Sequence, residues 1–167
     1  AKAGQGSPSN PVKLASMGDP TGRNHAAFPF LSESTGNFYI ISGDENFPWG
    51  VMATQGQPSN PRGGYHFLNF TDPDNPKEDA VYQVPEAGSH NMWVYDDVLM
   101  AAFYQGGLRV VDISGELLGD IYNQGREIAV YQSSHKEGKI PNAPMVWGAQ
   151  PYKDYIFFAD MNSGLYC

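Results

Sequence analysis

An all-β fold is the class that this sequence predicts, and three observations lead to it. No window combines a sustained apolar period of about 3.6 residues with helix caps at its ends. Short runs rich in Val, Ile, Tyr and Phe are instead separated by Gly, Pro, Asn and Asp, which is the pattern of strands joined by turns. The 167 residues also include 19 Gly and 13 Pro, a composition that supplies many tight turns.

An internal repeat indicates which all-β fold to expect. When the chain is shifted against itself by 65 residues, six of the 18 positions from Pro8 to His25 are identical, without a gap. A looser copy follows at a spacing of 57, where residues 106–108 match residues 163–165. Such spacings are typical of propeller blades with variable loops. We therefore predict β-propeller blades of four-stranded antiparallel sheet, in a partial or fragmentary propeller.

The predicted elements follow the apolar runs of the chain. Strands are expected at residues 38–42, 65–70, 80–84, 90–95, 98–104, 108–114, 127–131 and 155–159. Longer loops are expected at residues 26–36 and 132–143. We expect one repeat domain over residues 1–167, with blade pieces at about 1–24, 25–89, 90–143 and 144–167 and both ends inside a blade. Consecutive apolar positions indicate that both faces of the sheets are buried.

One segment of the chain resembles a known repeat signature. Residues 107–114 read Gly-Leu-Arg-Val-Val-Asp-Ile-Ser, and residues 72–76 read Asp-Pro-Asp-Asn-Pro. Both are similar to the LVIVD-repeat β-propeller family, whose strand Gly-Leu-x-Val-x-Asp-Ile-Ser is followed by Asp-Pro-x-Asn-Pro. The likeness covers about three repeats over residues 8–167, and residues 115–116 depart from it. It implies a propeller, mostly bacterial and exported, without a shared reaction.

Composition and charge exclude several classes of function. The net charge is −8 and no run of Lys and Arg occurs, so no nucleic-acid partner is expected. The longest apolar stretch, residues 98–103, is too short for a transmembrane segment. One cysteine, Cys167, excludes a disulfide within the chain. Together with the family resemblance, these features predict an extracytoplasmic protein, periplasmic or secreted, that is peripheral to a membrane.

Two histidines are the candidate metal ligands. His25 and His90 occupy the same repeat position, so they could face a central channel and share a metal ion. The third copy is expected to place Pro144 or a neighbour there, which argues against a symmetric ring of ligands. A repeat-linked histidine is more often architectural, hydrogen-bonded to backbone, and the sequence by itself therefore assigns no metal site.

Adjacent carboxylates are expected to serve turns rather than catalysis. The pairs Asp44-Glu45, Glu78-Asp79 and Asp96-Asp97 would point to opposite faces of a strand, which makes them poor acid/base pairs. Asp112 and Asp160, at strand ends, are expected to accept backbone N–H bonds in turns. The acidic residues of 72–79 lack the Gly and Glu of an EF-hand loop, so calcium is not expected.

The sequence contains no Gly-x-Ser-x-Gly, HExxH, P-loop or dinucleotide-binding motif. It therefore predicts no enzymatic activity, no catalytic residue and no cofactor. Trp49, with Phe47 and Pro48 in a Pro- and Gly-bounded loop, is the predicted protein interface. The favoured function is a non-catalytic scaffold that binds other protein subunits of a larger assembly, such as a respiratory or photosynthetic membrane complex. The alternative is an enzyme, or a small-ligand or metal-binding protein, that uses His25, His90 and Asp97 at the channel mouth.

Overall fold

The structure is a computed structural model that describes residues 6–21, 24–45 and 63–167. Within these ranges the protein is all-β. The described strands, in chain order, are β1 (Asn24–Leu31), β2 (Phe38–Asp44), β3 (Tyr65–Asn69), β4 (Lys77–Tyr82), β5 (Met92–Tyr95), β6 (Val98–Ala102), β7 (Leu108–Asp112), β8 (Gly119–Asp120), β9 (Glu127–Tyr131), β10 (Val146–Tyr152), β11 (Tyr155–Asp160) and β12 (Gly164–Tyr166). None of the described residues forms a helix of the length and hydropathy that crossing a membrane requires.

The strands form three sheets, each built from an antiparallel meander. The first has the order β1-β2-β3-β4, and β8 adds to β4 in the parallel direction. The second has the order β5-β6-β7-β9, and the third the order β10-β11-β12. Strand β5 contacts both β1 and β10, so the second sheet lies between the other two. The described residues close neither a barrel nor a propeller ring.

Strands β6 and β7 of the middle sheet are buried on both faces, as their consecutive apolar positions predict. Leu99 and Val111 pack towards the first sheet, in a core cluster that includes Tyr39, Ile41, Tyr65 and Phe67. The alternate positions of β6 and β7 pack towards the third sheet, in a second cluster of Met100, Ala102, Leu108, Val146, Ala149 and Phe158. Alternating side chains of one strand therefore supply two cores.

Two tight turns have the predicted chemistry. Asp96 and Asp97 connect β5 to β6 with φ of 50° and 53°, a backbone conformation that Asp tolerates better than most residues. In the turn before β7, Gly107 has φ of 80°, and a Cβ there would collide with the Tyr131 carbonyl oxygen. Only glycine fits at that position.

The strands predicted from apolar runs are found at those runs. The wrong predictions concern segments that are polar or contain proline. The strand predicted at 127–131 is β9 itself. The loop predicted at 26–36 is wrong, because most of that segment belongs to β1. Pro29 lies in β1, where it is tolerated because β1 is the edge of its sheet. The turn predicted at Glu78-Asp79 is also wrong, since both residues lie in β4 beside an irregularity of its pairing with β3.

Candidate metal centre

Three potential metal ligands meet where the first and second sheets adjoin. His25 is near the start of β1, Glu45 directly follows β2, and His90 precedes β5. One ligand atom from each residue lies within 4.8 Å of the others. The sequence pairs the two histidines through the 65-residue repeat, and the structure brings their rings to a centroid distance of 4.6 Å.

The fold positions these side chains through irregular strand ends. The pairing of β1 with β2 shifts between Asn24 and Ala26, so His25 is left without a pairing partner, and such an irregularity re-aims a side chain. Asp44 pairs with Asn24 and ends β2, which puts Glu45 beside His25. The His90 N–H donates to the Ala102 carbonyl oxygen of β6 at 2.9 Å and fixes the third ligand.

A glycine lets the two sheets approach closely next to this cluster. Gly43 in β2 faces Met92 of β5, and a Cβ at residue 43 would lie 2.5 Å from Met92 Cε. That distance is shorter than a non-bonded contact allows. A side chain at residue 43 would therefore displace the end of the Met92 side chain and press on the Tyr65 ring.

The ligand atoms have separations close to those of a metal site. His25 Nδ1 lies 3.2 Å from Glu45 Oε2, and His90 Nε2 lies 3.8 Å from Glu45 Oε1. In a tetrahedral zinc site with bonds of about 2.0–2.2 Å, neighbouring ligand atoms are about 3.3 Å apart.

Hydrogen bonds from neighbouring groups hold both imidazole rings. His25 Nε2 is hydrogen-bonded to the Asn91 side-chain amide at 3.2 Å, and His90 Nδ1 donates to the Trp147 carbonyl oxygen at 2.6 Å. Because a carbonyl oxygen only accepts, the His90 proton sits on Nδ1 and its lone pair on Nε2. That lone pair accepts the Trp147 indole N–H, and Nε2 is also the His90 atom nearest Glu45. Outer hydrogen bonds of this kind orient the histidine ligands of metal sites.

The cluster is buried on one side and open on the other. The His90 side chain is 4% exposed, whereas those of His25 and Glu45 are 32% and 39% exposed. Burial, together with the neighbouring His25, holds the pKa of His90 below its ordinary value against the opposing hydrogen bond to the Trp147 carbonyl oxygen. His90 is therefore neutral at pH 7, as a metal ligand must be.

A tyrosine completes the cluster by binding the carboxylate. The Tyr104 hydroxyl donates to Glu45 Oε1 at 2.7 Å. Burial and this hydrogen bond to the carboxylate raise the pKa of Tyr104 far above its ordinary range, so the hydroxyl keeps its proton. Tyr104 thereby orients one oxygen of Glu45 and leaves Oε2 directed at His25.

Trp147, rather than Pro144, is the third residue of the histidine series. Trp147 lies where the pairing of β10 with β11 shifts between Val146 and Gly148, as His25 does in β1. Its ring contacts His90 in a T-shaped arrangement with centroids 5.1 Å apart. The expectation of Pro144 at this place is therefore corrected to Trp147. With an exposed fraction of 41%, Trp147 is also not the core residue that its strand position suggests.

The other predicted residues lie elsewhere. Asp97 does not join the cluster and instead accepts the backbone N–H groups of Glu33 and Ser34, both at 2.9 Å. Asp112 and Asp160 accept backbone N–H groups in turns, as predicted, from Ser114, Asn162 and Ser163. The predicted interface of Trp49, Phe47 and Pro48 falls outside the described residues.

Sequence reasoning misses a second, buried histidine cluster. His66 in β3 lies between two carboxylates, with Nδ1 2.7 Å from Glu78 Oε1 and Nε2 3.2 Å from Asp44 Oδ2. Burial would lower the pKa of His66, but these hydrogen bonds and charges outweigh it and raise the pKa. Both ring nitrogens donate to carboxylates, so His66 has no lone pair to offer a metal.

The chain matches no protein-family model, no curated protein and no solved structure. The resemblance of residues 63–114 to the LVIVD repeat therefore stays a prediction. The chemistry of the cluster follows from its own donor set, which is two imidazole nitrogens and one carboxylate. Imidazole with carboxylate suits zinc, copper, nickel and iron ions, whereas magnesium and calcium prefer all-oxygen sites.

Proposed function

We propose that this protein binds a divalent transition-metal ion, Zn²⁺ in the first instance, through His25 Nδ1, His90 Nε2 and the Glu45 carboxylate. Two histidines and one glutamate are a recurrent ligand set of catalytic zinc sites. The observation that carries the proposal is the convergence of one ligand atom each from His25, Glu45 and His90, all within 4.8 Å of one another.

The short contact between His25 Nδ1 and Glu45 Oε2, 3.2 Å, requires a proton or a metal ion between the two atoms, since two lone pairs repel at this distance. A proton on Nδ1 satisfies the contact as a hydrogen bond to Glu45. A metal ion satisfies it as well, and it also recruits His90 Nε2, which the proton does not.

The open side of the cluster is where the bound metal would take a further ligand. Three protein ligands leave at least one coordination position of Zn²⁺ to water or a small molecule. His25 and Glu45 are about a third exposed, so that position faces solvent. A zinc ion bound here would supply Lewis acidity to the molecule at that position. Tyr104 and Asn91 would hold the ligands in place through the hydrogen bonds already described.

The wider fold supports placing this site at a channel mouth. We propose that β1, β5 and β10 are inner strands of successive propeller blades. In support, β5 contacts both of the others. The rings of His25 and Trp147, near the starts of β1 and β10, each contact the ring of His90, which precedes β5. The two histidines would then join neighbouring blades, and a bound metal would strengthen that junction.

Zinc titration by isothermal calorimetry, with metal analysis of the dialysed protein, tests the proposal. Wild-type protein should bind one Zn²⁺ per chain, and His90→Ala should weaken binding by more than about 100-fold, since loss of even an outer hydrogen bond costs up to that much. His135→Ala is the matched control, because His135 is exposed, its ring Nδ1 accepts the backbone N–H of Glu137, and it is not one of the three clustered ligands. Equal binding by the two variants, or none by wild type, would refute the site.

A protein scaffold is the second candidate, and the edge strand β9 favours it. Ile128, Val130 and Tyr131 on β9 are 61%, 44% and 53% exposed. Exposed apolar residues on a sheet edge suit contact with another chain. The predicted subunit partners, the membrane assembly and the extracytoplasmic location belong to this candidate. Native mass spectrometry of gently isolated protein tests it, and Ile128→Lys should release any subunit that travels with the chain.

A further inference from the structure

Trp147 makes a hydrogen bond to each of the two ring nitrogens of His90. Its backbone carbonyl oxygen accepts from His90 Nδ1 at 2.6 Å, and its indole Nε1–H donates to His90 Nε2. The second bond is the informative one, because Nε2 is the atom that would bind the metal. In the absence of metal, the lone pair of this 4%-exposed histidine is therefore satisfied by an indole N–H.

The ring nitrogen has a single lone pair, so the indole and a metal ion cannot use it together. From this exclusion we infer that Trp147 is a releasable cap on the metal-binding nitrogen of His90. Metal binding displaces the indole from Nε2, and loss of the metal lets the indole return. This inference rests on the proposed metal site and concerns how metal binding there is regulated.

The surroundings of Trp147 allow this displacement. The residue is 41% exposed and is named in neither buried core cluster, and its indole contacts the His90 ring, so rotating the indole into solvent separates it from His90. The next residue is Gly148, where even a Cβ would find only Asn91 at 3.5 Å. The backbone carbonyl of Trp147 does not move with the indole. His90 Nδ1 therefore keeps its hydrogen bond, and the ring keeps its orientation, when the cap is released.

A cap of this kind makes the site selective. Only ions with a strong preference for imidazole nitrogen, such as Zn²⁺, Cu²⁺ and Ni²⁺, gain enough from Nε2 to replace the indole. Mg²⁺ and Ca²⁺ prefer oxygen ligands and have little to gain from that nitrogen. Trp147 is therefore a specificity-determining residue, although it is not itself a metal ligand.

Trp147→Phe tests the cap, because it removes the N–H donor and keeps an aromatic ring against His90. The affinity for Zn²⁺ should rise by about two- to tenfold, which corresponds to the net worth of one hydrogen bond. Wild-type tryptophan fluorescence should change on zinc addition, and the change should disappear in Trp147→Phe. It should persist in Trp93→Phe, the control, since Trp93 packs on Phe28 and makes no hydrogen bond to the cluster.

The outcomes separate the cap from the metal site. If wild type and Trp147→Phe bind Zn²⁺ equally and zinc leaves the fluorescence of Trp147 unchanged, the cap is wrong and the metal site stands. If neither binds Zn²⁺, the proposed function itself fails. Should the variant not fold, the indole ¹⁵N–¹H signal of Trp147 in wild type decides. It should move from a hydrogen-bonded position to a solvent-exchanging one on zinc addition, and a fixed signal in zinc-loaded protein would overturn the cap.

Discussion

The two histidine clusters of this protein both combine histidine with carboxylate side chains, but they are suited to different roles. His66 is buried between Asp44 and Glu78, and each of its ring nitrogens donates to a carboxylate. In the other cluster, two rings face one carboxylate, and the lone pair of His90 Nε2 accepts the Trp147 indole N–H. The first arrangement uses both ring nitrogens to bind carboxylates, whereas the second keeps an imidazole lone pair that a metal ion can take.

The difference teaches that the acceptors around a histidine decide its role. Carboxylates on both nitrogens favour the imidazolium form, which links strands and cannot bind metal. An amide or backbone oxygen on one nitrogen fixes the neutral tautomer and frees the other nitrogen. The carbonyl group of Trp147 does this for His90. The predictions below test this division of roles.

The largest expected effect is on stability, at His66. His66→Ala leaves Asp44, which is 1% exposed, without its charged partner, and breaking a buried pair in this way costs about 3–5 kcal/mol. Because Glu78 is 32% exposed and can rehydrate, we expect a value near the lower end, about 3 kcal/mol, in the free energy of unfolding by urea. Zinc affinity should stay unchanged. Weaker zinc binding in a folded His66→Ala protein would contradict the separation of the two clusters.

Glu45→Gln should show the reverse pattern. The amide keeps the size of the side chain but loses the negative charge and one acceptor, so zinc affinity should fall by about 100-fold. The free energy of unfolding should change by less than about 1 kcal/mol, since Glu45 is 39% exposed. Calorimetry and urea titration of the same preparation measure both quantities. An equal loss of stability and no loss of affinity would make Glu45 a purely structural residue.

The pH dependence of stability provides a third comparison. The pKa of His66 is raised in the folded protein, so its stabilising contribution is fully present below the unfolded value of about 6.5. It is lost as the pH rises through the raised folded pKa. The unfolding free energy of wild type should therefore decline across that window, and His66→Gln should remove the decline. A wild-type profile without it would mean that His66 is neutral when folded.

The smallest expected effect is at Tyr104. Tyr104→Phe removes the hydrogen bond to Glu45 Oε1 and leaves the ring in place, so zinc affinity should fall by about tenfold. Tyr39→Phe is a suitable control, because the Tyr39 hydroxyl contacts Asp79 in the first sheet, apart from the cluster. No difference between the two variants would show that Tyr104 does not position the carboxylate.

The sequence predicts the strands more completely than the site, for a physical reason. Apolar runs identify the strands β6 and β7 and their double-sided burial, because burial imposes the pattern locally. The exposed strand β9 is identified by its branched and aromatic residues. The repeat even pairs His25 with His90. Glu45 is different, since its place beside His25 depends on the register of β1 against β2, which no local pattern specifies.

The His66 cluster shows the same limit in a buried setting. Its partners Asp44 and Glu78 come from two other strands, 22 and 12 residues away in the chain. An isolated histidine in an apolar run gives no sign of either carboxylate. Trp147 was within reach of the sequence, because the 57-residue spacing of the third repeat maps His90 onto residue 147.

X-ray absorption spectroscopy of the protein with one equivalent of Zn²⁺ tests the central claim most directly. The account predicts a first shell of two imidazole nitrogens and at least one oxygen at about 2.0–2.2 Å. In His135→Ala the spectrum should be the same, and in His90→Ala the imidazole scattering should fall. A shell of oxygen atoms alone, or imidazole scattering that His90→Ala leaves unchanged, would contradict a metal centre at His25, Glu45 and His90.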